Sequence, residues 1–234
     1  MQGLEDKVIL VTGASGNLGG VVAERAVAAG ARIAVTDLAA AKLKARFAKT
    51  DSIALFPGVE LGDVASCANY VEKTVARFGR VDGLISTVGG FAYTNVSDDS
   101  YETWERMLTM NVKTAFHVSQ AVLPTMKVNG SGSIVLTGAT AALKAPGGVS
   151  AYAASKSGVM RLAESLADEV KGEGIRVNAV MPSLIDTPEN RAAMPDADRS
   201  GWVSPEEIAD VMLFLVSDAA RAVTGALIPV TGTG

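Results

Sequence analysis

The sequence predicts one doubly wound α/β domain: a mainly parallel, seven-stranded sheet with helices on both faces. Three observations carry this. Short β-branched apolar runs alternate with helical stretches along the chain, which demands right-handed crossovers onto a parallel sheet. The strands read as continuous apolar runs rather than alternating ones, as in a sheet covered on both faces. No linker, low-complexity tract or internal repeat divides the 234 residues, so residues 1–234 are expected to form one domain.

Lys7 to Val11 gives the first strand, followed by a glycine-rich turn from Thr12 to Gly19 and a helix that Gly30 stops after Ala29. Arg32 to Thr36 is the second strand, ending at Asp37. Residues 39–48 read as helix, 52–56 as a weaker third strand, and 64–78 as a helix closed by Gly79. The fourth strand, 81–87, leads into Val88-Gly89-Gly90-Phe91. Two long helices follow, Ser100 to Lys127 and Ser150 to Lys171, with the fifth strand, 133–137, between them. Ile175 to Met181 is the sixth strand, and 183–203 reads as irregular chain long enough to cover a bound substrate. Ser204-Pro205-Glu206-Glu207 starts a helix with a cap, a proline at its first position and acids in its first turn. Leu227 to Val230 is the last strand.

Composition removes several classes of function. The net charge of −4 comes from 21 basic and 25 acidic residues with no basic stripe, which disfavours nucleic acid as a partner. No apolar run reaches the ~18 residues of a membrane span, and residues 1–7 lack the plan of a signal peptide. The single cysteine, Cys67, fits a reducing cytoplasm and reads as a small buried hydrophobe. The one histidine, His117, lies mid-helix with no acidic or Cys/His cluster around it, so it reads as a surface or interface residue, and no metal-ligand spacing appears.

In a doubly wound sheet, ligands sit beyond the carboxyl ends of the strands. Gly13-Ala-Ser15-Gly16-Asn17-Leu18-Gly19 occupies that position after the first strand. There, glycines admit a pyrophosphate to the backbone and a helix N-terminus supplies N–H donors. A tight strand–helix turn without ligand is the alternative. The absence of a Gly-Lys-Ser/Thr ending disfavours a nucleoside-triphosphate loop. Asp37, closing the second strand, is placed to accept from both ribose hydroxyls of an adenosine; a 2′-phosphate would meet like charge there, so NADH is expected over NADPH. Asp37 can equally cap the next helix. Asp63 and Val64 either clasp an adenine or begin a helix. Tyr152 and Lys156, four apart on a helix, share a face at about 5–6 Å between Cβ atoms, where an ammonium favours the phenolate.

Together these residues, with Asn111 and Arg176-Val-Asn-Ala-Val, resemble the short-chain dehydrogenase/reductase family over nearly the whole chain, implying a Rossmann fold. The resemblance implies that Tyr152 gives or takes the proton. It also implies that Lys156 holds the nicotinamide ribose and that Asn111 maintains a water-linked proton path. It places the nicotinamide near Val88, Gly89, Ile185 and Thr187. Three departures stand out: Asn17 replaces the usual middle glycine, Ser86-Thr87-Val88-Gly89 replaces Asn-Asn-Ala-Gly, and Ala139 replaces the serine that polarises a substrate carbonyl. Removing one such donor costs about 10²–10³ in rate.

Within the family, Val88 to Phe91, Gly138 to Leu143 and Ile185 to Trp202 look like the dihydropteridine reductase branch, which also lacks the serine. The function this implies is NADH-dependent hydride transfer to an activated planar substrate, with Tyr152 as proton donor. Phe91 either stacks on such a substrate or packs on the 183–203 cover, and Ala139, Thr140, Met194 and Trp202 are the further candidate substrate contacts. The alternatives are a general carbonyl reductase, in which Thr140 or a water replaces the serine, and a non-catalytic NADH sensor. Surplus apolar faces on the two long helices predict a homodimer or homotetramer.

Overall fold

A computed structural model of the protein describes residues 3–99 and 101–232. Seven parallel strands form one sheet in the order β3-β2-β1-β4-β5-β6-β7: β1 Val8–Thr12, β2 Arg32–Asp37, β3 Ile53–Pro57, β4 Gly83–Ser86, β5 Gly132–Thr137, β6 Ile175–Pro182 and β7 Leu227–Val230. Strand order reverses between β1 and β4, so the carboxyl ends of these two strands open the crevice in which a ligand can lie. Ladders pair Thr12 with Ser86 and Leu136 with Ser86, which brings the residues just after β1, β4 and β5 to one edge.

Side chains alternate across the sheet. Val8 and Leu10 join a core with α3 (Val64–Phe78), α5 (Thr114–Asn129) and α6 (Ser150–Val170). Ile9 and Val11 join the opposite core with α1 (Asn17–Ala28), α2 (Ala40–Arg46) and α8 (Pro205–Val216). Both faces are thus covered, which is why the strands read as unbroken apolar runs. Arg176 donates to the carbonyls of Leu215 and Ser217, and Asn178 bridges Val223 and Ala226, so the Arg-Val-Asn segment secures the β6–β7 connection.

Three local expectations change. The fourth strand shortens to Gly83–Ser86, and just before it the Asp82 carboxylate accepts from the Val8 N–H at 2.9 Å. The long helix after it is α4 (Tyr101–Met107), a π turn (Leu108–Lys113) and α5, ending at Asn129 rather than Lys127; its expected start at Ser100 lies outside the described residues. The 183–203 stretch is not wholly irregular: it contains α7 (Pro188–Ala193), capped by the Thr187 hydroxyl, which accepts from the Asn190 N–H at 3.2 Å. At α8 the expected cap is a full capping box between Ser204 and Glu207. No described helix is long and apolar enough to cross a membrane.

Candidate active site

The glycine-rich turn is built for backbone proximity. Gly13 has φ +69°, and a Cβ there would stand 2.8 Å from the Thr87 hydroxyl. A Cβ on Gly19 would overlap the Gly13 carbonyl. Gly16 leads into α1 with no side-chain cap, leaving the first N–H groups of Asn17 and Leu18 without a side-chain partner at the dipole's positive end. The cradle and these donors fit the pyrophosphate of a dinucleotide. Asp37 faces this turn, its two carboxylate oxygens accepting from Ser15 N at 3.1 Å and Ala39 N at 2.9 Å. Asp63 is the N-cap of α3, accepting from Ser66 N at 2.7 Å, so the helix-start alternative is realised, and Val64 beside it is exposed.

At the other half of the crevice, α6 carries Tyr152 and Lys156, and the π turn carries Asn111. The wider π turn sets Asn111 against both the loop after β4 and α6: its carbonyl accepts from Gly90 N at 2.9 Å, and its amide donates to Gly90 O at 3.1 Å and to Ser155 Oγ at 2.8 Å. The Ser155 hydroxyl in turn donates a hydrogen bond to the Tyr152 backbone carbonyl at 2.7 Å. Lys156 is buried and donates to Thr137 O at 2.8 Å. A Cβ on Gly89 would stand 2.6 Å from Asn111 Oδ1 and 2.9 Å from Lys156 Nζ, so glycine is what lets the chain pass between them. The structure thus brings Tyr152, Lys156, Asn111 and Gly89 together. Ser155 is the member that sequence reasoning missed; its signal is a small polar residue on the apolar stripe of α6, directly before Lys156.

Burial sets the titration here. It lowers Lys156 to about 8 and pushes Tyr152 up to about 12. The expectation that Lys156 draws the phenol down is overridden, because the ammonium is itself penalised by burial and is directed at Thr137 O. Activity is therefore expected to fall as pH rises through about 8, where Lys156 loses its proton, in a kcat/KM profile. The stability sign follows: between about 8 and the ordinary 10.5 the unfolded chain binds more protons at this lysine, so stability rises with pH across that window. Urea midpoints of wild type minus those of Lys156→Met isolate this contribution.

Phe91 meets Tyr152 edge to face, with centroids 5.0 Å apart, and remains 62% exposed. Ala139 presents a buried methyl, and the Thr140 hydroxyl is directed at Pro182 O at 3.3 Å. Val88 and Gly89 follow β4, and Ile185 sits on a single bridge to Val203, its carbonyl accepting from Asn190 at 2.8 Å. Met194 ends α7 and Trp202 carries Arg199 over its ring at 5.7 Å; among the described residues no bond ties either to Tyr152. His117 contacts Leu61 O at 3.3 Å, a structural role, and Cys67 is buried. Among the described residues no cluster of His, Cys, Asp and Glu could hold a metal ion.

A crevice with a pyrophosphate cradle at one end and, at the other, a half-buried tyrosine beside a buried lysine and asparagine defines a nicotinamide-dinucleotide oxidoreductase. The family model of the short chain dehydrogenases matches residues 7–198, and the chain belongs to that family. It is 32% identical to the 3-oxoacyl-(acyl-carrier-protein) reductase FabG of Thermotoga maritima, over 98% of each chain. It is 31% identical to levodione reductase of Leifsonia aquatica, over 97% of this chain and 93% of that one. Among solved structures, 3-ketoacyl-(acyl-carrier-protein) reductase from Brucella melitensis, complexed with NADH, superposes with a TM-score of 0.88 at 26% identity, over 98% of each chain. These relatives carry the names of oxo-compound reductases, and none of the three is a dihydropteridine reductase.

Proposed function

We propose that the chain is an NADH-dependent reductase of an activated planar substrate, of the quinonoid dihydropteridine kind. The observation that carries this is Ala139. Its methyl, 5% exposed, stands where the family pattern has a carbonyl-polarising hydroxyl, and Thr140, the nearest alternative, spends its hydroxyl on Pro182 O. A substrate that regains aromaticity on accepting hydride needs no such donor. The exposed ring of Phe91 beside Tyr152 offers a stacking surface for a flat heterocycle.

When bound, the dinucleotide supplies the hydride. Asp37, fixed by two backbone N–H groups, orients the adenosine ribose and repels a 2′-phosphate, which supports NADH over NADPH. Lys156 orients the nicotinamide ribose, and Val88, Gly89, Ile185 and Thr187 border the nicotinamide. Tyr152 gives its hydroxyl proton to the substrate, and Asn111 with Ser155 holds the helix and loop that position it. The segment 183–203, with Met194 and Trp202, covers the substrate. Exposed Tyr101, Leu108, Met110, Phe116 and Val128 between residues 101 and 129 support a homodimer or homotetramer.

A second reading, favoured by the relatives' names, is reduction of an ordinary oxo compound with a water in the serine's place. Nucleotide oxidation measured with quinonoid dihydropterin and with a panel of ketones separates the two, run with NADH and with NADPH. The pterin with NADH is expected to be fastest. A ketone that outpaces the pterin overturns the first reading in favour of the second, and equal rates with NADPH remove the NADH preference.

A further inference from the structure

Asn17 occupies the position of a usual glycine, and its side chain is not directed at the pyrophosphate seat. Its amide crosses the crevice and donates to Glu189 Oε2 at 2.7 Å, joining the first residue of α1 to the first turn of α7. Among the described residues this is the hydrogen bond that ties α7 to the glycine-rich turn. Packing does little to hold α7 down, since none of its residues is buried. A cavity of about 360 Å³ separates it from α1 and α8, lined by Val21, Arg46, Pro188, Arg191 and Ser204 among others.

The two sides of the contact are each stiff. On one side, Arg46 lies flat over Gly20, donating to Gly16 O at 2.8 Å and to Glu24 Oε1 at 2.8 Å. On the other, Asn190 holds Ile185 O, Thr187 caps the helix and Arg191 grips Asp186 through both carboxylate oxygens. Residues 185–191 are therefore tied into one bonded unit, anchored at Val203 by the backbone bond from Asp186 at 2.8 Å. Glu189 stays ionised, its carboxyl held below the usual range first by its own backbone N–H and next by the Asn17 amide.

We propose that Asn17 and Glu189 are a positioning pair that latches α7 over the dinucleotide and governs how fast the nucleotide leaves. The latch rests on the pyrophosphate lying on the glycine-rich turn. Opening it requires breaking one charge-assisted hydrogen bond and swinging a small helix that has no buried side chain, which suits a gate that cycles at every turnover.

The test is stopped-flow release of NADH, and in parallel NADPH, from the full chain on mixing with excess NAD⁺. Asn17→Ala and Glu189→Ala are each expected to raise the off-rate about 5-fold, the value of one exposed charge-assisted bond. The double variant is expected to go no faster than either single, and Glu189→Gln, whose carbonyl still accepts from Asn17, to stay within about 2-fold of wild type. KM for the nucleotide rises in Glu189→Ala while kcat does not fall, a split that a merely structural loss would not give. Off-rates equal to wild type in all four variants, or singles that add in the double, overturn the latch alone. A wild type that binds neither nucleotide overturns the dinucleotide seat and the latch with it.

Discussion

Tyr152→Phe lowers kcat by about 10²–10⁴ while leaving NADH affinity near wild type. The substitution removes one oxygen and keeps the ring, so the edge-to-face contact with Phe91 persists and the helix register of Lys156 is undisturbed. No other described titratable group shares the position: Asn111 cannot supply a proton at neutral pH, and Lys156 is directed at Thr137 O. Steady-state rates with the best acceptor and NADH binding by fluorescence check both halves. Turnover within tenfold of wild type would show that solvent or the substrate supplies the proton, and would remove Tyr152 from its role.

Ala139→Ser is expected to raise the reduction of ordinary ketones by about 10² and to leave quinonoid dihydropterin nearly unchanged, measured as kcat/KM for the two substrates on both proteins. Position 139 has extended backbone, φ −161° and ψ 148°, which serine adopts without strain, and the added oxygen is the donor whose place in the family pattern is vacant here. The hydroxyl has one local competitor, the start of the short turn Thr140–Ala142, where a serine would act as a cap. That competition trims the gain without reversing it. If ketones gain nothing while the protein stays folded, the missing hydroxyl is not what limits them, and the argument from Ala139 to a planar, activated substrate falls.

Much of this protein was legible in the sequence because the signals are local. The helix 64–78 and the strand 227–230 have the bounds that periodicity assigned, and the cap of α8 is written in four consecutive residues. The Tyr152–Lys156 face follows from helical spacing, and the cradle follows from glycines placed between a strand and a helix. The π turn was not legible: Leu108 to Val112 is apolar enough to satisfy the 3.6 period and the wider one alike, and packing against α6 selects between them. The helix inside 183–203 was obscured by its prolines, yet Pro188 is at the position that starts a helix.

What the sequence determined by itself is the class of chain: strand and helix order, the parallel sheet, the glycine-rich turn after the first strand and the helix that carries Tyr152 and Lys156. Tertiary structure decided what those residues experience. Spacing could put an ammonium near a phenol, but only the packed fold shows that burial makes the phenol harder to ionise and that the lysine donates to Thr137 O. A sequence could show that Asn17 stands where glycine is usual; only the fold, by bringing Glu189 to it across 172 positions, shows where its amide goes. Neighbour spacing is a property of the chain, whereas desolvation and long-range partners are properties of the packed volume, and the chemistry of the site depends on both.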